Sequence, residues 1–352
     1  MAARLAAAGH EVAFAGTPDG PEAHLAPEAG VAFHAVRSRG FDRSRPITLL
    51  TSAAGMLASA LRSFGLLRRF RPDVVLGFGG YVSLPVGLAA IVRRTPLVLH
   101  EQNSVPGLAN RVLSRWAGSV GVTYEGSIAH LAHPGRASVT GNPVRDAVLA
   151  ADRERGRAAL GLDPDATVLL VFGGSRGARH INEAMVALAP RLAALPALQV
   201  VHVAGRIEAA VVADAVSGVL GGPTGAYRVV DYLDAMGDAI AAADLVVARA
   251  GATSIAEITA IGRPSVLVPY PYATDDHQSL NAGAVADAGA AVVLKDAELD
   301  GERFTSTVME LLADAGRRER MAAAARAIAR RDAAERVVAL VGQAARVTEE
   351  TG

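Results

Sequence analysis

Cysteine is absent, lysine is nearly so, and aromatic residues make up only 4% of the 352-residue chain. The first absence excludes disulfides, thiolate nucleophiles and Cys-ligated zinc. Lys295 is the single lysine, so arginine carries nearly all of the positive charge. Lys plus Arg and Asp plus Glu number 35 each, and a balanced chain has no global basic field to draw in nucleic acid. Any contact with a membrane must therefore be local. Long apolar runs are also missing. The longest, Ile47 to Leu61, is stopped by Arg62, short of the roughly 20 residues a spanning helix needs. Hydrophobic residues nevertheless make up 51% of the chain, dominated by Ala, Val and Leu, which suits helices packed on buried parallel strands.

Short β-branched runs recur, each closed by glycine or a polar turn and followed by an Ala-rich helical stretch: Asp73 to Phe78, Pro96 to His100, Thr167 to Phe172, Gln199 to Ala204, Asp244 to Ala248 and Ser265 to Pro269. That order is βαβ repetition. The runs are continuous instead of alternating, so both sheet faces are covered and the strands are parallel. The expected class is doubly wound α/β, in two domains. Residues 1–145 form the first and residues 146–331 the second, with a helix over 332–349 packing back on the first. A polar interval from Arg145 to Asp165 separates the two series and reads as the connection. Its Asp163-Pro164-Asp165 could chelate a metal on a sugar diphosphate, but it precedes a strand, beyond reach of a ligand at the carboxyl ends, and reads as a turn. No metal and no cofactor is expected.

Met1 to Ala8 reads as the end of a helix stopped by Gly9, and Glu11 to Ala15 as the strand after it. A doubly wound sheet holds its first strand in the middle, where omission would orphan backbone groups at about 1 to 3 kcal/mol each. The expectation is that a first strand and its loop are missing from this sequence. A mature native chain starting at Met1 or Ala2 would overturn it.

Several strand ends carry residues suited to chemistry. Gly173-Gly174-Ser175-Arg176-Gly177-Ala178 follows one strand and opens a helix, where glycines let a diphosphate approach free N–H groups; a tight turn alone also needs them. Gly77-Phe78-Gly79-Gly80-Tyr81 sits likewise in the first domain. Two such ends suggest a cleft for two phosphorylated ligands. His100-Glu101-Gln102-Asn103 places four polar side chains after another strand, and Gly141-Asn142-Pro143-Val144-Arg145 puts a guanidinium at the junction, able to meet a phosphate or simply solvated. In Ala250 to Glu257 small residues expose helix N–H groups, and Glu257 can accept from ribose hydroxyls. Ser254-x-x-Glu257 is equally a capping box. Asp275 to Asn281 packs polar groups densely, with Gln278 and Asn281 suited to sugar hydroxyls. Ile47, Leu50, Ala54, Leu57, Leu61 and Phe64 repeat at helical spacing beside Arg62, Arg68, Arg69 and Arg71, a pattern that fits a membrane surface or ordinary core packing.

Taken in order and spacing, Gly77 to Tyr81, His100 to Asn103, Gly141 to Arg145, Gly173 to Ala178, Ala250 to Glu257 and Asp275 to Asn281 resemble the MurG family over nearly the whole chain. The resemblance implies the GT-B fold, two Rossmann-like domains facing a cleft. It implies inverting transfer of N-acetylglucosamine from UDP-GlcNAc to undecaprenyl-diphosphate-linked N-acetylmuramoyl pentapeptide (lipid I to lipid II) at the cytoplasmic face of the cell membrane. Carried onto matching positions, it assigns UDP and sugar contacts to Asn103, Arg145, Ser175, Leu233, Ala252, Thr253, Ser254, Glu257 and Gln278. Leu233 would act through its backbone on uracil and Glu257 would hold the ribose. Gly173 and Gly174 would face the donor diphosphate, and Gly79, Gly80 and Tyr81 the acceptor diphosphate. The family also carries a G-G-T-G-G-H loop whose histidine is a candidate base. This sequence starts after it, so no catalytic residue is assigned and poor turnover is expected. A transferase with another lipid or aglycone acceptor, and a non-catalytic sugar-nucleotide-binding protein, are the alternatives.

Overall fold

The computed structural model describes residues 1–37, 48–174, 178–222 and 224–351. They form two compact units, one of Met1–Pro143 with the chain from Asp332 onward, the other of Val144–Arg331.

The first unit runs α1 (Ala2–Ala7), β1 (Ala13–Gly16), α2 (Glu22–Glu28), β2 (Ala32–Ala35), α3 (Thr48–Phe70), β3 (Val75–Gly77), α4 (Gly80–Val92), β4 (Leu97–Glu101), α5 (Leu108–Leu113), β5 (Ser119–Val122) and β6 (Ala137–Val139). All pairings are parallel, but among the described residues they make two separate sheets, β1-β2 and β3-β4-β5-β6. β4 is buried throughout, as its unbroken apolar run requires. Leu97, Leu99, Leu113, Val120 and Val122 form the core beneath α4 and α5. The apolar stripe on α3 divides: Phe64 and Leu67 pack against Ala89 and Ala90 of α4, while Leu61 is exposed. Ile47 and the side chains of Leu50, Ala54 and Leu57 lie outside the described residues.

The second unit continues with α6 (Asp146–Leu149), α7 (Arg153–Ala159), β7 (Thr167–Phe172), α8 (Arg179–Ala193), β8 (Leu198–Val203), α9 (Ala209–Leu220), β9 (Tyr227–Val230), α10 (Met236–Ala242), β10 (Leu245–Arg249), α11 (Ala252–Ile261), β11 (Ser265–Val268), α12 (His277–Asp287), β12 (Ala291–Val293), α13 (Glu302–Ala313) and α14 (Ala315–Ile328). A last helix, α15 (Ala333–Thr351), packs against β4 and β5. The polar interval after Arg145 is no bare linker, since it folds as α6 and α7 within the second unit. α7 lies so close to α10 that a Cβ on Gly156 would come within 2.1 Å of the Asp238 carbonyl. Asp163 and Asp165 do form a turn, with the Asp165 N–H donating to Asp163 Oδ1 at 2.8 Å.

The six strands of this unit are parallel in the order β12-β11-β10-β7-β8-β9. Leu169, Val171, Val200, Val247 and Val268 face one core, and Val168, Leu170, Val201, Val246 and Leu267 face the other. The two-residue period therefore buries both faces. Chain order reverses between β7 and β10, and an open parallel sheet leaves a crevice at such a point, beyond the carboxyl ends of the strands.

β8 carries a buried polar network that follows from its central place. His202 is fully buried, with Nε2 3.0 Å from Asn182 Oδ1 and Nδ1 3.1 Å from the Tyr227 hydroxyl. The neutral ring fits both, donating to the amide oxygen and accepting from the phenol. Burial pushes its pKa down to about 4. The unfolded chain then binds the extra proton between pH 6.5 and about 4, so the stability that the neutral ring supports is complete above pH 6.5 and falls as pH drops through that window. The expected loss is about 3 kcal/mol at pH 4. Urea denaturation from pH 7 to pH 4 measures it, and His202→Gln should flatten the curve by a comparable amount.

Candidate functional site

The parallel order gathers the loops after β7, β10, β11 and β12 at one edge of the second unit's sheet. A cavity of about 400 Å³ lies there, lined by Gly173, Arg179, His180, Arg249, Tyr270, Gln278 and Asp296 among others. Gly174, which follows β7, has φ of +95°, a region that L side chains rarely adopt. Ser175 lies outside the described residues. α8 opens just beyond, and its first-turn N–H groups have no partner within the helix.

After β10 the chain enters α11 through Gly251, which caps it without a side-chain hydrogen bond. The capping box expected as one reading of Ser254 and Glu257 is therefore not formed; both residues lie inside the helix. Ala252, Thr253 and Ser254 make its first turn. Glu257, 6% exposed, instead accepts from Arg145 Nη2 at 3.2 Å. Val144 and Val148 pack against Ala260 and Ala256, which holds the start of α6, and with it Arg145, against α11. The Arg145 side chain is 66% exposed, so this pair contributes little to stability and its guanidinium is open to a ligand. Leu233 packs on the core as a half-buried residue past β9. Gln278, second in α12, takes the Tyr270 N–H on its Oε1 at 2.9 Å. It is presented by Asp275 and Asp276, both held at positive φ, 52° and 50°, a conformation uncommon outside glycine.

In the first unit Gly79, with φ of +81°, caps α4 ahead of Gly80. A Cβ on Gly79 would meet the Asn110 amide at 3.2 Å. Tyr81 stands 64% exposed in the first turn. The four polar residues at the end of β4, His100 and Glu101 within it and Gln102 and Asn103 beyond, divide by role. His100 is fully buried, with its Nε2 2.9 Å from the Gly141 carbonyl and its ring against Phe78. Burial holds its pKa below the ordinary value, and the enclosed ring ties β4 to Gly141. Glu101, also buried, accepts from the N–H groups of Asn103 (2.9 Å) and Gly107 (3.1 Å) and from the amides of Asn103 (3.3 Å) and Asn110 (2.8 Å). It thereby shapes the turn that carries Asn103.

Residues 1–122 match the glycosyltransferase family 28 N-terminal domain, and residues 168–337 match the family 28 C-terminal domain. A UDP-N-acetylglucosamine--N-acetylmuramyl-(pentapeptide) pyrophosphoryl-undecaprenol N-acetylglucosamine transferase of Halothermothrix orenii is 41% identical over 89% of this chain and 86% of its own length. One of the same name from Desulfitobacterium hafniense is 40% identical over 93% and 89%. The crystal structure of Acinetobacter baumannii MurG superposes with a TM-score of 0.76 at 27% identity, covering 97% of this chain and 94% of that one. The chain belongs to the MurG family. Its fold is GT-B, built from two Rossmann-like parallel-sheet units.

Of the positions the MurG resemblance singled out, the structure brings Gly173 and Gln278 to one cavity and pairs Arg145 with Glu257. Among the lining residues that went unrecognised in the sequence are Arg179, His180, Arg249, Tyr270, Tyr272 and Asp296. Arg249 ends β10, lies 2.5 Å from Asp296 Oδ1, donates to the Pro269 carbonyl at 3.2 Å and stands over the Tyr270 ring at 5.7 Å. A lone arginine ending a strand was the one available signal.

Proposed function

We infer that this chain transfers N-acetylglucosamine from UDP-GlcNAc to the undecaprenyl-diphosphate-linked N-acetylmuramoyl pentapeptide. The observation that carries the reading is kinship, over most of both lengths, to transferases named for that reaction. In an inverting transfer the acceptor hydroxyl oxygen attacks the anomeric carbon as the bond to UDP breaks; the hydroxyl loses its proton and the diphosphate gains charge. Gly173 and Gly174 before α8, and Ala252 to Ser254 at the start of α11, offer N–H groups and helix dipoles to that charge. Glu257 accepts from the ribose hydroxyls, the Leu233 backbone meets uracil, and Arg145, Ser175, Asn103 and Gln278 complete the nucleotide and sugar contacts. Gly79, Gly80 and Tyr81 serve the acceptor diphosphate. Calorimetric titration with UDP-GlcNAc, followed by transfer of labelled sugar to a lipid I analogue, tests the reading; absence of UDP-GlcNAc binding overturns it.

The lipid acceptor calls for a membrane surface, which this reading places on the cytoplasmic side. Among the described residues no helix is long and apolar enough to cross a membrane. Helices α3, α4 and α5 pack in succession and expose Leu61, Val92 and Leu108, with Trp116 exposed in the turn after α5. Arg62, Arg68, Arg94, Arg111 and Arg115 are exposed beside them. Apolar anchors ringed by arginines suit an anionic bilayer, each cation near its surface adding about 1 kcal/mol. The triple variant Trp116→Ala, Arg111→Glu, Arg115→Glu is expected to bind anionic phospholipid vesicles at least about tenfold more weakly, measured by co-sedimentation. Unchanged binding would remove this surface from the assignment.

A further inference from the structure

We propose that His180 is a positioning residue for the nucleotide diphosphate donor, acting as an imidazolium wedged between Asp296 and Asp300 at the edge of the donor cavity. The proposal rests on the transferase reading above and adds a residue to it.

The geometry requires the charged ring. His180 is the second residue of α8, and its Nδ1 lies 2.7 Å from Asp296 Oδ2 while its Nε2 lies 2.9 Å from Asp300 Oδ1. An ionised carboxylate only accepts, and a neutral imidazole has a single N–H to give. Both contacts are made together only when both nitrogens carry protons. The hydrogen bond to Asp296, aided by Asp300, holds the His180 pKa above its ordinary value.

The ring also closes a circuit. Asp296 pairs with Arg249, which donates to the Pro269 carbonyl and backs Tyr270. One imidazolium thus links the start of α8, the end of β10, the segment after β11 and the segment after β12. Those segments line the cavity beside Gly173 and Gln278.

The charges facing the ring decide the consequence. Asp296 and Asp300 come from the segment after β12 and Arg249 from β10; on α8 itself Arg179 and Glu183 interact with each other. Arg179 is paired with Glu208 at 2.8 Å. With His180 protonated, the two cations His180 and Arg249 balance the two aspartates. Deprotonation leaves one net negative charge beside the loop that receives a diphosphate, and frees the Asp300 side of the clamp. Donor affinity is therefore complete below the ordinary histidine range and falls as pH rises through the raised pKa. The diphosphate diester of UDP-GlcNAc does not titrate near neutrality, and ionisation of its uracil toward pH 9 is common to wild type and variants, so a difference between their profiles belongs to the protein.

The test is calorimetric titration of the full chain with UDP-GlcNAc from pH 6 to pH 9. Wild type is expected to lose affinity by about three- to tenfold across that range. His180→Gln should bind weakly at every pH with a flat profile, raising KM and leaving kcat nearly unchanged. Asp300 is 75% exposed, so Asp300→Asn is expected to fold; with one carboxylate removed, deprotonation leaves the cluster neutral, so the variant should bind more tightly than wild type at pH 9 and its fall in affinity should begin at lower pH. Nitrogen-15 spectra of the free protein should show His180 doubly protonated at pH 7. Wild-type pH profiles in both variants, or a ring that titrates below 6.5, overturn the proposal while the transferase reading stands. Failure of wild type to bind UDP-GlcNAc at any pH overturns both.

Discussion

Glu257→Gln should weaken UDP binding about 10- to 100-fold. The wild-type carboxylate is almost wholly buried and held by Arg145, so it is fixed before ligand arrives and loses little entropy on accepting from a ribose. Hydrogen bonds to a charged acceptor contribute about 1.5 to 3 kcal/mol each. Glutamine keeps the shape but leaves one neutral acceptor and turns an N–H₂ toward hydroxyls that need acceptors. Titration with UDP and with 2′-deoxy-UDP isolates the contact: wild type should prefer UDP, and the variant should not. Equal preference in both proteins would remove the ribose role. Because the Arg145 side chain is mostly exposed, thermal stability should change little, which separates lost binding from lost folding.

A second large effect concerns folding in the first unit. Glu101→Ala should cost about 3 to 5 kcal/mol in urea denaturation. The buried carboxyl receives four donors, from Asn103, Gly107 and Asn110. Removing it takes the shared acceptor from all four; the buried Asn110 amide keeps only the His100 carbonyl, at 3.1 Å, the half-buried Asn103 loses both of its hydrogen bonds to Glu101, and a buried unsatisfied group costs about 1 to 3 kcal/mol. Glu101→Gln, which retains one acceptor oxygen, should fall between. An unchanged midpoint for the alanine variant would mean that the turn carrying Asn103 is not organised through Glu101.

Most of the strands visible in the sequence are buried on both faces; β1 and β3, also expected, are only partly buried. β4, β7, β8, β10 and β11 are runs rich in Val and Leu with glycine or polar residues at their ends, and the structure places them within a residue or two of expectation. β2, β5, β6, β9 and β12 went unseen; each is only three or four residues long, too short to show a period, and Ser-Val-Gly-Val or Ala-Ser-Val is no stronger as strand than as loop. The glycine loops were legible because a strand that turns straight into a helix needs residues that tolerate positive φ. The polar run at the end of β4 was legible as a cluster but not by role, since nothing local says that His100 and Glu101 turn inward. The Ser254-x-x-Glu257 pattern misled for a related reason: capping is competitive, and Gly251 already begins α11.

What lies within a few residues along the chain, or repeats with a fixed period, the amino-acid order determined alone: parallel α/β units, glycine-lined strand ends, and the kinship those motifs carry. Contacts between distant residues were decided by the tertiary structure. Arg145 meets Glu257 across 112 positions and His180 meets Asp296 across 116, distances over which no local pattern predicts a partner. They converge because hydrogen-bonded parallel strands all end at the same edge, and the reversal of strand order between β7 and β10 leaves that edge open. A side chain's charge can be read from its letter, but its partner depends on which strand ends stand side by side, and only sheet pairing sets that.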